Sequence, residues 1–161
     1  MGARLFSDVA VGQRLPALTV DITTTRVVMG SAASGDWAPA HHDPTFAMVE
    51  IGVAGIFLST AAQDLWFERY VTDWTGPRGR LGRLSLRMRR PITAGSTLVI
   101  DGEVTSVGVD ELGCGWIGLN LEAAVDGDPE RVVASSAEAR VAVPIRPDDD
   151  PWSRRGDRWA P

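Results

Sequence analysis

Gly55-Ile56-Phe57-Leu58-Ser59-Thr60-Ala61-Ala62-Gln63-Asp64-Leu65-Trp66-Phe67-Glu68-Arg69-Tyr70-Val71-Thr72-Asp73-Trp74-Thr75-Gly76-Pro77 is the stretch on which the fold turns. Apolar residues fall on nearly every face of a helix drawn through it (Ile56, Phe57, Leu58, Ala61, Ala62, Leu65, Trp66, Phe67), and a helix apolar all round belongs in a core. Gly55 opens the run and Gly76-Pro77 ends it, so the helix from Ile56 to Trp74 is expected to be roughly 28 Å long, the span of a small domain. Gln63, Asp64, Glu68, Arg69 and Asp73 interrupt it too often for a bilayer span, which needs about 20 apolar residues in a row. The stretch reads as a central, buried helix.

Beyond Pro77 the chain reads as strand. Leu84, Leu86 and Met88 alternate with Arg83, Ser85, Arg87 and Arg89, giving one apolar and one cationic face; further strands are expected over Leu98 to Val107, Leu112 to Val125 and Arg131 to Val143. Asp126-Gly127-Asp128-Pro129 reads as the turn between the last two. Before the helix, Ala17 to Thr23 alternates as a first strand, and Thr24 or Thr25 can cap a helix carrying Val27, Val28 and Ala32 on one face, closed by Gly35. Asp43-Pro44 starts a short helix to Ile51, stopped by Gly52, because the carboxylate accepts backbone N–H groups and proline is tolerated at the first helical position. Helices followed by a run of strands at hairpin spacing give the α+β class: an antiparallel sheet wrapped against one long helix.

The chain has 161 residues, enough for one domain with its own core. Residues 1–145 are expected to form that domain and 146–161 an irregular tail, either a mobile end or an arm placing Trp152 and Trp159 on a neighbour. At 44% hydrophobic and 23% charged the composition is that of a folded globule. A net charge of -5 does not suit nucleic-acid binding, which needs a basic footprint. With one cysteine, Cys114, and no signal-peptide pattern at the N-terminus, the expected location is cytoplasmic. All 16 basic residues are arginine, a bias typical of GC-rich, actinobacterial-type genomes.

Between the two early helices, Ser34 to His42 has no periodicity and contains both histidines of the chain. Asp36 and His41 lie five residues apart across Gly35 and Pro39, so a turn can bring carboxylate and imidazole together. Such a pair can hold a water and move protons near neutral pH. By spacing alone Asp36 also reads as a turn residue and His41 as a loop histidine, and His42 can replace His41 as proton carrier. Asp43 is explained as a helix cap. Adjacent His41, His42 and Asp43 do not converge on one ion, so no metal site is expected. Ser34, Ser59 and Cys114 lack the elbow motif of a covalent nucleophile. The arginines at 78, 80, 83, 87, 89 and 90 form either a solvated strand face, a subunit contact, or a receptor for the phosphates of coenzyme A or a carrier-protein arm.

The segment Ala33-Ser34-Gly35-Asp36-Trp37-Ala38-Pro39-Ala40-His41-His42-Asp43-Pro44-Thr45-Phe46-Ala47 resembles the Gly-Asp-x-Asn-Pro-x-His signature of the MaoC-like family, the R-specific enoyl-CoA hydratases. Val11-Gly12-Gln13-Arg14-Leu15-Pro16 and Arg90-Pro91-Ile92-Thr93-Ala94-Gly95 are similar to further landmarks of that family. The segments His41-His42-Asp43 and Arg69 to Pro77 are most similar to the small hydratase subunit of actinobacterial steroid side-chain degradation. Ala38 departs from the pattern, which has asparagine there.

The resemblance implies a hotdog fold and hydration of a trans-2-enoyl-CoA thioester with a bulky or steroidal acyl group. It implies Asp36 and His41 as the catalytic pair, the base unassigned between them. It also implies the Gly55 N–H, at the start of the central helix, as donor to the enolate-like thioester oxygen. Arg87, Arg89 and Arg90 become candidates for the coenzyme A phosphates. No cofactor is expected, since coenzyme A is part of the substrate. The expected partner is a second hotdog chain, identical or not, with neither nucleic acid nor membrane. Two rivals remain: a non-catalytic subunit completing a partner's acyl-CoA site, and a hotdog thioesterase using Asp64 or Glu68.

Overall fold

In the computed structural model, which describes residues 4–126, 132–159 and 161, five antiparallel strands form one sheet in the order β1-β3-β4-β5-β2. The strands are β1 (Arg14–Asp21), β2 (Arg80–Met88), β3 (Thr97–Val109), β4 (Gly115–Asp126) and β5 (Val132–Val143). Three helices precede β2: α1 (Thr24–Ser34), α2 (Pro44–Phe46), which runs on into a single π-helical turn (Ala47–Ile51), and α3 (Thr60–Thr75). This is the expected α+β arrangement of one long helix and a sheet. The turn expected over 126–129 lies, apart from Asp126, outside the described residues. Among the described residues, no helix is long and apolar enough to cross a membrane.

The core lies between α3 and the concave face of the sheet. Ile117, Leu119, Leu121 and Ala123 of β4 point inward at every second position, as do Ala137, Ala139, Val141 and Val143 of β5. The alanines of β5 keep that wall shallow where the helix lies. From α3 a stripe of Ala62, Gln63, Phe67, Tyr70, Val71 and Trp74 enters the core. Burying Phe67 alone contributes about 2 kcal/mol by transfer.

The helix differs from its sequence reading in two ways. It begins at Thr60, with the Ser59 hydroxyl accepting from the Ala62 N–H at 3.1 Å, so it is nearer 24 Å long at about 1.5 Å per residue. Residues 55–58 are not helical, because Phe57 forms a β-bridge with Thr93 and the backbones of Ile56 and Leu58 bond to Ala94 and Ile92. Nor is the helix buried all round: Leu65, Glu68, Arg69 and Asp73 face outward. The apolar run is therefore divided between a strand-like segment and a one-sided helix.

Smaller shifts have local causes. Thr23, not Thr24 or Thr25, caps α1 by accepting from the Arg26 N–H at 3.2 Å. Val27 is buried and Val28 half-buried, but Ala32 is exposed, because Ser31 takes the inward position one turn after Val27. The first strand starts at Arg14 rather than Ala17, since Arg14 and Leu15 pair with Glu103 and Gly102 before a register shift. Residues 146–159 fold back on their own chain. The Trp152 indole N–H donates to the Gly79 carbonyl at 3.1 Å, and the Trp159 ring lies 4.9 Å from that of Trp116 with the Arg80 guanidinium 3.6 Å over it.

Candidate active site

Asp36 stands where α1 ends. Gly35 adopts the left-handed conformation (φ 70°) that residues with a side chain seldom take. The Gly35 N–H then donates to the Ala32 carbonyl at 3.3 Å and the Asp36 N–H to the Ser31 carbonyl at 3.0 Å, a Schellman closure that fixes the aspartate backbone. The Ser31 hydroxyl donates back to the Asp36 carbonyl. Three residues on, a 3-10 turn (Pro39–His41) brings the imidazole round, with the His41 N–H donating to the Ala38 carbonyl at 3.0 Å. His41 Nε2 comes to 3.5 Å from Asp36 Oδ2, the imidazole 9% and the carboxylate 35% exposed.

The other ring nitrogen sets the tautomer. His41 Nδ1 lies 2.7 Å from the Phe57 carbonyl oxygen, which can only accept, so Nδ1 carries the proton. In the neutral ring, Nε2 is then an acceptor facing a second acceptor, the Asp36 carboxylate. Two acceptors so placed can share one water, which donates a hydrogen bond to each. The Phe57 ring meets the imidazole edge-on, centroids 5.1 Å apart, and limits its rotation.

Ala38 meets the pair through its backbone. Its N–H donates to Asp36 Oδ1 at 3.3 Å, leaving Oδ2 for the histidine. Asp43 is a helix cap as expected: Oδ1 accepts from the Thr45 and Phe46 N–H groups at 2.8 and 3.1 Å. His42 is exposed beside it.

His41 opens on a cleft of about 430 Å³ walled by Ala40, Ile51, Val53, Phe57, Leu58 and Pro91, with Thr60, Gln63, Met88, Arg89 and Arg90 completing it. Arg89 and Arg90 thus stand at the histidine's own cleft. Arg87 does not; it lines a groove on the outer face of the sheet with Glu122 and Glu138. Gly55 is not at the N-terminus of α3, as the sequence suggested, but in a bend five residues before Thr60, between the cleft residues Val53 and Phe57. Its N–H makes no hydrogen bond to the described residues. Asp64 and Glu68, which a thioesterase would need, do not line this cleft.

Sequence reasoning missed Phe57 and Gln63. The Phe57 carbonyl carries no sequence signal, since it acts through the backbone. Gln63 does carry one: it is the polar member of an otherwise apolar stripe that continues at Phe67, Tyr70, Val71 and Trp74.

No family model matches the chain. The 3-oxo-4,17-pregnadiene-20-carboxyl-CoA hydratase beta subunit of Mycobacterium tuberculosis is 35% identical over 97 residues, 60% of this chain and 74% of that protein. A chain of the ChsH1-ChsH2 complex from Mycobacterium tuberculosis has the same fold, with a TM-score of 0.74 and 28% identity over 83% of this chain and 98% of that one. The (R)-hydratase from A. caviae involved in PHA biosynthesis shares the fold at a TM-score of 0.71 and 23% identity, over 84% of this chain and 98% of that one. The MaoC-like dehydratase from Rhodospirillum rubrum does so at 0.74 and 17%, over 90% and 99%. A hotdog sheet and helix, together with a hydratase subunit matched over most of its own length, establish that the chain belongs to the MaoC-like family of hydratases.

Proposed function

We propose that the protein hydrates the double bond of a trans-2-enoyl-CoA thioester, with Asp36 and His41 as its catalytic pair. The observation that carries this reading is the tautomer lock: Phe57 accepts from Nδ1 and leaves Nε2 as a lone-pair base 3.5 Å from Asp36 Oδ2. The bound water attacks Cβ through its oxygen and gives one proton to Nε2, while the π electrons move through Cα to the thioester oxygen. The carboxylate accepts a hydrogen bond from the water's other O–H, which stays on the product as its hydroxyl, and stabilises the imidazolium as it forms. Collapse of the enolate takes the proton from Nε2 to Cα, so one water is added and both residues return to their starting states. The unpaired Gly55 N–H is the donor assigned to the enolate oxygen, as a loop amide rather than a helix terminus. Arg89 and Arg90, at the rim, are assigned to the coenzyme A phosphates; Arg87 is left to the outer face.

A bulky, steroid-type acyl group is supported by the relative's name. The relative is a beta subunit and the structural neighbour a complex of two chains, which supports pairing with a second hotdog chain. Apolar residues exposed at or near the cleft suit such a cover: Ile51 and Met88 line it, and Trp37, Met48 and Val49 neighbour it in sequence. The test is to incubate the chain, sized by light scattering, with crotonyl-CoA and a steroid-enoyl-CoA, alone and with a hotdog partner encoded nearby. Loss of enoyl absorbance and release of thiol are followed separately. Enoyl loss without thiol release is expected; thiol release, or neither signal under any condition, overturns the proposal.

A further inference from the structure

Gln63 lies on the first turn of α3, 3% exposed, in the wall of the cleft that His41 faces. Its Nε2 donates to the Leu58 carbonyl at 3.3 Å and to Met88 Sδ, also at 3.3 Å. Those contacts fix which way the carboxamide points: turning it over would set Oε1 against the Leu58 carbonyl, two acceptors face to face. Oε1 is therefore the atom left over, and it is buried without a hydrogen-bond partner. A buried acceptor with no donor is costly, and native proteins leave few of them. Most of the wall is apolar, and an occupant of the cleft can bring the missing donor.

We infer that Gln63 is a specificity-determining residue whose Oε1 accepts a hydrogen bond from an N–H or O–H group carried by the thioester substrate. Two parts of such a substrate can supply that donor: the amide nearest the sulfur in the pantetheine arm, or a hydroxyl on the acyl group. His41, Gln63, Met88 and Arg89 line one cleft, and Gln63 touches Met88, so a thioester bound there shares its walls with the carboxamide. A site built around an unpaired acceptor discriminates strongly against an analogue that lacks the donor, because the analogue leaves the acceptor buried and unpaired. The inference rests on the hydratase reading and adds to it the feature of the substrate that is read.

Two pairs of thioesters separate the sources. S-crotonyl-N-acetylcysteamine and its O-acetyl-mercaptoethanol counterpart differ only in the amide N–H; crotonyl-CoA and 4-hydroxycrotonyl-CoA differ only in an acyl hydroxyl. In wild-type protein one pair is expected to show about a tenfold preference in kcat/KM for the donor-bearing member. Gln63→Met, similar in size but without the acceptor, is expected to bring that ratio close to one. Calorimetric binding of the saturated counterparts, butyryl or 4-hydroxybutyryl in place of the enoyl group, reads the same ratios without turnover, so absence of hydration removes the hydratase reading but still decides the role of Gln63. Ratios equal in wild type and Gln63→Met for both pairs, by turnover and by binding, overturn the inference.

Discussion

Asp36 is held almost wholly by backbone. Its own N–H closes α1 onto Ser31, and its Oδ1 is held by the Ala38 N–H at 3.3 Å. That amide can be removed by one substitution. Ala38 has φ −59°, which suits proline, so Ala38→Pro deletes the donor without opposing the local backbone. Turnover of crotonyl-CoA by that variant is expected to fall about tenfold, by loss of one hydrogen bond to a charged group, with the circular dichroism spectrum unchanged; undiminished turnover would show that Oδ1 needs no such partner. The residues legible in the sequence were those governed by short-range rules: Gly35 as a helix terminator, Asp43 as a cap, and Asp36 and His41 as neighbours across a turn. Phe57 and the unpaired oxygen of Gln63 were not, because their roles come from contacts across the fold.

At the scale of elements, the misplaced start of the central helix has a physical cause. Residues 55–58 are as apolar as the first turns of α3, and apolarity alone does not distinguish a buried extended segment from a buried helix. The decisive signal was Ser59, a capping residue inside the run. Once placed, α3 is tied to β1 by the Tyr70 hydroxyl, which donates to the Pro16 carbonyl at 3.0 Å. Burial, reinforced by the negative charge of Asp101 and partly offset by Arg14, pushes the phenol from its ordinary 10.0 up to about 12. A folded pKa raised in this way means that the neutral phenol stabilises the fold fully below pH 10, and that the contribution is lost as pH rises through about 12. Tyr70 is the only tyrosine in the chain, so tyrosinate absorbance reports it directly. The expected midpoint in folded protein is near 12; one near 10 would show that Tyr70 is not held in this way.

For the whole molecule, the α+β class, the order of helices before strands and the antiparallel sheet were readable from periodicity and turn chemistry. The path of the tail was not, since its arginines and tryptophans pack by cation–π and ring contacts that have no period. The sheet ends in two edges, β1 and β2. Met88, the last residue of β2, and Arg89 and Arg90 after it line the cleft, so this edge strand adjoins the site. The fold brings a C-terminal helix closure and a 3-10 turn together over a carbonyl from the segment before α3, so that a carboxylate and one imidazole nitrogen lie 3.5 Å apart. The central claim is therefore about Asp36 and His41, and turnover of crotonyl-CoA, followed by loss of enoyl absorbance in wild type, Asp36→Asn and His41→Ala, tests it most directly. Each variant is expected to keep its fold and lose about a thousandfold in kcat; near-wild-type turnover by both folded variants would contradict it.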